Sequence, residues 1–277
     1  MSAPVTDTAP LDRPRLVADS ATMLRRRVRH LRRYPSLTIM LIGQPIVFLL
    51  LFVFVFGATM GAGLAGPGGD RDAYLAFITP AVLLMTVASV ALGTAIGVAT
   101  DMTEGVVARF RTMAIARSSV LTGHVGGAFV QTAVGLVVVL GVALLLGFRS
   151  DAGPLAWLGV AGLLALLTLA LTWLTVAFGL AARSVETASN TPMFLVLLPF
   201  LGSGFVPVDS LPAGLRWFAA YQPFTPVIDT LRGLLGAGPG SGAGLGTDAA
   251  LAVGWCVVIT VGSLLWSRRL YETRAAR

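Results

Sequence analysis

Residues 101–124, DMTEGVVARFRTMAIARSSVLTGH, decide how this chain is read, because they form the longest charged island between two long apolar runs. Arg109, Arg111 and Arg117 sit there among apolar neighbours, not in a uniformly solvated loop. On either side the sequence reads as lipid-embedded wall, short connector or tail. A soluble partner that instructs such a protein would reach it here.

Working outward, 56% of the 277 residues are hydrophobic and only 12% are charged. A soluble domain carries about a quarter charged residues, so this is a membrane composition. The net charge of +7 is made entirely by arginine, since all 20 basic residues are Arg. Without lysine there is no Walker A phosphate loop, no Schiff base and no Ser-Lys dyad, so the chain is not its own P-loop ATPase. The arginines flank apolar runs instead of lining a soluble face with aromatic platforms, which argues against nucleic acid. Cys256 is the single cysteine and lies inside an apolar run, so no intrachain disulfide or Cys metal site forms. The first apolar run follows 36 residues holding eight arginines, which reads as a retained cytoplasmic start and not as a cleaved signal.

The expected organisation begins with a disordered tail, 1–13. In 14–35, Val17, Ala21, Leu24, Val28 and Leu31 recur on one helical face, and Arg25, Arg26, Arg27, Arg29, Arg32 and Arg33 cover the rest. That pattern predicts an amphipathic helix lying at the headgroups of the cytoplasmic leaflet. A six-span transmembrane domain, 36–267, follows, with spans at about 37–57, 74–99, 123–147, 155–181, 191–207 and 247–267. A cytoplasmic tail, 268–277, closes the chain. None of the spans carries Asp, Glu or Arg at mid-depth.

Sixteen of the arginines fall in the two termini and the loops 100–122 and 182–190, whereas Arg71, Arg149, Arg216 and Arg232 are alone on the other side. This positive-inside bias puts both termini in the cytoplasm of a multi-pass protein of the cytoplasmic (inner) membrane. Residues 58–73 are Gly-rich and read as a flexible outer loop. The fifth span is short, and 208–236 stays apolar while broken by Pro223. This predicts two short re-entrant helices, 211–221 and 224–235, dipping into the outer leaflet.

Little chemistry is visible. His30 and His124 lie in different segments, so no metal site is expected, and His124 reads as a residue bordering the third span. No GxSxG elbow is present, and no catalytic residue is expected. Gln44 and Gln131 read as interhelical hydrogen-bonders, and no intramembrane carboxylate is present to bind a coupling ion. Gly93 and Gly97 form a GxxxG pair that could be a dimer face.

Three passages carry a resemblance. EGVVARFRTMAIARSSVLTGH (104–124) is similar to an acidic-Gly…RFR…RSxVLxG cytoplasmic segment, SGFVPVDSLPAGLRWFAAYQPFTPVIDTLRGLL (203–235) to a VP…LP…QPxTPxxxxLRxLL outer passage, and RRYPS (32–36) ends the Arg-rich helix. Together they resemble the permease subunit of type-2 ABC exporters, in particular the daunorubicin-resistance-type drug exporter family. This chain departs from that pattern at Met113-Ala114, where the family has a Leu-Pro-like pair. The resemblance implies an all-α, six-span permease that dimerises with a second copy of itself. It also implies two copies of a separate ATP-binding cassette subunit, which would hold ATP and Mg, with no cofactor in this chain. Carried over by position, Glu104, Gly105, Arg109, Phe110, Arg111 and Arg117 fall in the partner-coupling segment, 101–122.

The expected function is export of amphipathic or hydrophobic small molecules, drug- or antibiotic-like. The alternatives are a lipid or glycan-linked cargo, then an ion-coupled carrier or a non-transporting membrane scaffold. The candidate cargo path is Phe48, Phe52, Phe56, Met85, Met193, Phe194, Leu197 and Phe200. Membrane lipid surrounds the domain, and no nucleic acid is expected as a partner.

Overall fold

The computed structural model describes residue 25 and residues 35–65, 70–103, 117–237 and 244–275. The tail 1–13, nearly all of the helix expected at 14–35, and Glu104, Gly105, Arg109, Phe110, Arg111 and Met113-Ala114 lie outside the described residues.

Among the described residues every regular element is helical and none is a strand. The chain runs through α1 (Pro35–Leu51), a π-helical turn (Phe52–Phe56), α2 (Gly57–Ala65), α3 (Arg71–Thr103), α4 (Arg117–Leu145) and α5 (Pro154–Ala181). After α6 (Val185–Asn190), α7 (Phe194–Leu197) and intervening 3-10 turns come α8 (Ala213–Tyr221), α9 (Phe224–Leu235) and α10 (Leu245–Ala275).

Among the described residues, five helices are long and apolar enough to cross a membrane: Ser36–Leu64, Arg71–Thr103, Leu121–Leu145, Pro154–Ala181 and Leu245–Leu270. Even the shortest, at 25 residues, rises about 38 Å, more than the roughly 30 Å of hydrocarbon. Helical backbone is what lipid demands, because every N–H and C=O must find its partner inside the segment. Several buried hydroxyls meet the same demand. Thr79, Thr86, Thr168 and Thr175 each donate to the carbonyl four residues back, at 2.7, 2.8, 2.7 and 2.9 Å.

α3 is the hub. Nearly all of its apolar window is enclosed, with α1, α4, α5, α6 and α9 packed around it. In contrast α1, α4 and α10 expose large apolar side chains outward, among them Met40, Val137, Leu145 and Val258. An apolar exterior of this extent marks a lipid-facing surface, so this is a multi-pass membrane protein.

Two stretches differ from expectation. The Gly-rich segment 58–73, expected as a flexible loop, is helical through Ala65. Its glycines let α2 lie against the start of α3, since a Cβ at Gly61 would run into the Asp70 carbonyl. The apolar helix expected at 191–207 instead occupies Val185–Leu201. Ser184 starts it early by accepting from the Thr187 N–H at 3.2 Å. Pro192 and Pro199, each without an N–H, divide it into α and 3-10 pieces. A helix of that length rises about 25 Å, short of the hydrocarbon thickness.

Beyond it, α8 and α9 meet at Pro223, and α9 ends at Gly236 in the left-handed conformation (φ 64°). There the Gly236 and Ala237 N–H groups donate to the Gly233 and Arg232 carbonyls at 3.3 and 3.0 Å.

Candidate functional site

Phe48, Phe52 and Phe56 recur at intervals of four, which stacks them along one side of a helix. The π-helical turn begins at Phe52 and so widens the backbone beneath the last two rings. Ring centroids are 6.4 Å apart for Phe48–Phe52 and 5.5 Å for Phe52–Phe56. Phe200, at the end of the broken helix, closes on this row, 5.5 Å from Phe48 and 6.1 Å from Phe52. Four of the eight path candidates are therefore brought into one aromatic wall.

A fifth ring completes it. Phe205 stacks on Phe200 at 4.3 Å and 7° and lies 4.7 Å from Phe52. The wall grades from buried Phe205 to exposed Phe56. Offset and tilted ring pairs at these distances stabilise by about 0.5–1.5 kcal/mol beyond burial. Phe205 was missed because it lies in the turn after the helix, and a turn has no periodicity to assign its side chain to a face.

The other four candidates lie elsewhere. Met85 is fully enclosed in the middle of α3 and touches no open surface. Phe194 meets Phe178 edge-on at 6.2 Å, and Phe178 in turn meets Trp266 at 5.5 Å, forming a second aromatic group. Met193, Phe194 and Leu197 are exposed together along the broken helix. Of the expected coupling residues, Arg117 is the first residue of α4.

The helix ends that flank residues 104–116 are tied to each other. Asp101, in the last turn of α3, places Oδ2 2.9 Å from Nε2 of His124 on α4. The His124 side chain is 5% exposed, so this residue, expected at the border of a span, is paired and enclosed in the second turn of α4. Gln131, also on α4, donates to the Thr38 hydroxyl of α1 at 3.1 Å. This is an interhelical hydrogen bond of the expected kind. Gly93, read as half of a dimer motif, instead makes room for Leu41 of α1 within the same chain, because a Cβ there would strike Leu41 Cδ1.

One buried cation was not anticipated. Arg232 on α9 is 7% exposed and donates from Nη1 to Asp229 Oδ1 at 2.6 Å. Its guanidinium also lies 4.0 Å over the Phe77 ring. Burial pushes the Arg232 guanidinium below its ordinary value, and the Asp229 carboxylate pulls it back. Burial likewise raises the Asp229 carboxyl, against the pull of Arg232. The available signal was an Asp and an Arg three apart in an apolar helix, where charges persist only when paired. Among the described residues no group of three or more His, Cys, Asp or Glu could hold a metal ion.

Comparison with known proteins adds the following. The family model described as ABC-2 type transporter matches residues 20–235. A daunorubicin resistance ABC transporter permease protein of Streptomyces coeruleorubidus is 29% identical over 229 residues, 81% of this chain and 78% of that protein. A probable doxorubicin resistance ABC transporter permease protein of Mycobacterium tuberculosis is 29% identical over 244 residues, 87% of this chain and 86% of that protein. A second permease protein of that organism, named for doxorubicin resistance, is 27% identical over 221 residues, 78% of this chain and 73% of that protein.

Proposed function

The chain belongs to the ABC-2 type transporter family, and from that premise we propose that it is the membrane subunit of an ATP-driven exporter of hydrophobic or amphipathic small molecules. The observation that carries the cargo class is the wall of Phe48, Phe52, Phe56, Phe200 and Phe205. Planar apolar molecules stack on such rings, and the relatives are named for resistance to daunorubicin and doxorubicin. Met193, Phe194 and Leu197 extend the path along the broken helix, with Met85 as packing behind it.

In this reading Val185–Leu201 is a short fifth crossing among six. α8 and α9 re-enter the outer leaflet, and both termini lie on the cytoplasmic side of the cytoplasmic membrane. Two copies of the chain work with two copies of an ATP-binding cassette subunit, which holds ATP and Mg. Glu104, Gly105, Arg109, Phe110, Arg111 and Arg117 receive that subunit. Asp101–His124 joins the two helix ends that flank residues 104–116. Closure of the ATP-binding chains moves the 101–122 segment as a lever, and ATP drives the change only by binding the closed state more tightly than the open one.

The test is co-reconstitution of the chain with its ATP-binding subunit in proteoliposomes, followed by daunorubicin movement. The expected result is transport that requires ATP and the second chain and survives a proton uncoupler. Transport that persists without ATP and collapses with uncoupler would replace this reading with an ion-coupled carrier. A partner ATPase indifferent to every apolar cargo would leave a scaffold.

A further inference from the structure

The broken helix ends inside an apolar environment, so the backbone groups it leaves unpaired must be satisfied by something else. From Leu198 to Phe205 the chain passes through a 3-10 turn and then Gly202, Ser203 and Gly204. Four backbone groups of this stretch are taken by side chains from other elements. Gln222 Nε2 donates to the Leu198 carbonyl at 3.2 Å. The Ser203 N–H donates to Thr225 Oγ1 at 3.4 Å, and Arg232 Nη2 donates to the Ser203 carbonyl at 2.7 Å. Tyr74 OH donates to the Phe205 carbonyl at 3.4 Å. All four side chains are buried. The fit is close, since a Cβ on Gly202 would run into Gln222 and Thr225, and one on Gly204 would sit 2.6 Å from the Pro199 carbonyl.

Arg232 is the centre of this bracket. Its Nη2 reaches the Phe77 carbonyl of α3 at 3.3 Å as well as Ser203, so one guanidinium ties α3, α9 and the turn together. Pro80 lacks the N–H that would bond the Ala76 carbonyl, which loosens the turn of α3 from which Phe77 presents its own carbonyl. A planar fork with several fixed donors is needed for three acceptors at once, and an ammonium does not reproduce it.

We propose that Arg232, with Gln222 and Thr225, is a positioning set for the cargo path: it holds the 198–205 turn so that the Phe200–Phe205 stack stands against Phe52. The bracket makes Phe200 and Phe205 the fixed side of the wall. The facing side, Phe52–Phe56, rides on the π-helical turn. The transport consequence rests on the export reading above, whereas the geometric one does not.

The experiment is Arg232→Lys in the full complex, which keeps the charge and removes the fork. Thiol labelling is read by mass spectrometry on Phe205→Cys, with Cys256 kept as an internal gauge because it is buried on α10. The expected result is faster labelling at position 205 in Arg232→Lys than in the parent, with Cys256 protected in both. In the Phe205-containing protein, the apparent KM for daunorubicin rises roughly two- to tenfold, the range of one ring–ring contact, and kcat changes less. Equal labelling at position 205 overturns the proposal. So does labelling at Cys256 in step with position 205, because Arg232 would then be a general stability residue. If the parent complex moves no aromatic cargo, the export reading fails on its own while the labelling still decides the bracket.

Discussion

Gly179 offers the sharpest test of how the hub is packed. It lies on α5 where that helix meets α3, and a Cβ added there would be 2.7 Å from the Ala95 carbonyl oxygen and 3.0 Å from Val98 Cβ. Replacing a helical glycine by alanine normally gains about 0.5–1 kcal/mol of backbone entropy. Here the obstructing atom is a backbone oxygen of the most enclosed helix, which cannot swing aside as a side-chain end would. Overpacking of that kind costs about 1–3 kcal/mol, so Gly179→Ala is expected to lose about 1–2 kcal/mol net. Gly162, also on α5, is exposed and has no atom within 4 Å of its would-be Cβ. Gly162→Ala should therefore keep the entropic gain and match or exceed the parent. The assay is thermal unfolding of the purified chain in one detergent, comparing parent and both variants. A melting temperature for Gly179→Ala equal to or above that of Gly162→Ala would refute the claim that α3 and α5 touch through this glycine.

Three further outcomes are expected. Asp101→Ala should destabilise the chain by about 1–3 kcal/mol, since it removes a charged acceptor from an enclosed imidazole; Asp101→Asn, which keeps an oxygen toward Nε2, should cost less, and equal melting curves would remove the pair from the account. Arg109→Glu with Arg111→Glu should reduce co-purification with the ATP-binding subunit and its cargo-stimulated hydrolysis, and unchanged values would clear these residues of a coupling role. Phe205→Ala should cost about 3–5 kcal/mol as a buried ring deletion and Phe205→Leu clearly less, a ranking that chemical unfolding in detergent checks.

The helical character and the membrane class were legible because lipid imposes one rule on every residue of a crossing. Most must be apolar and each backbone group must pair within the helix, so the apolar runs stand out without any knowledge of neighbours. Pro223 marked the joint between α8 and α9 for the same local reason, a missing N–H. What the runs could not convey is which side of each helix faces protein. A helix that is apolar all round has no moment to orient it. Met85 and Phe200 looked equivalent as large apolar residues, yet one is enclosed in the hub and the other stands in the aromatic wall. Gly93 had the same ambiguity, since a small residue invites close approach by any helix and the one that takes it is α1 of the same chain.

Arg232 shows the limit of reading charge from sequence alone. Counted with Arg71, Arg149 and Arg216, it was simply one of the few arginines on the less basic side. In the structure it is buried against Phe77, paired with Asp229 and shared between two backbone carbonyls. An arginine so placed is held by folding and carries no information about which loops stay in the cytoplasm, because the positive-inside bias concerns charges in loops and near helix ends. Removing it from the count leaves the asymmetry larger, so the proposed orientation does not depend on it. Its cost of burial has to be met by contacts, and those contacts are with Asp229 on α9, Phe77 on α3 and the Ser203 carbonyl of the turn that leads to Phe205. An arginine counted with the outer loops is therefore one that brackets the turn between Phe200 and Phe205.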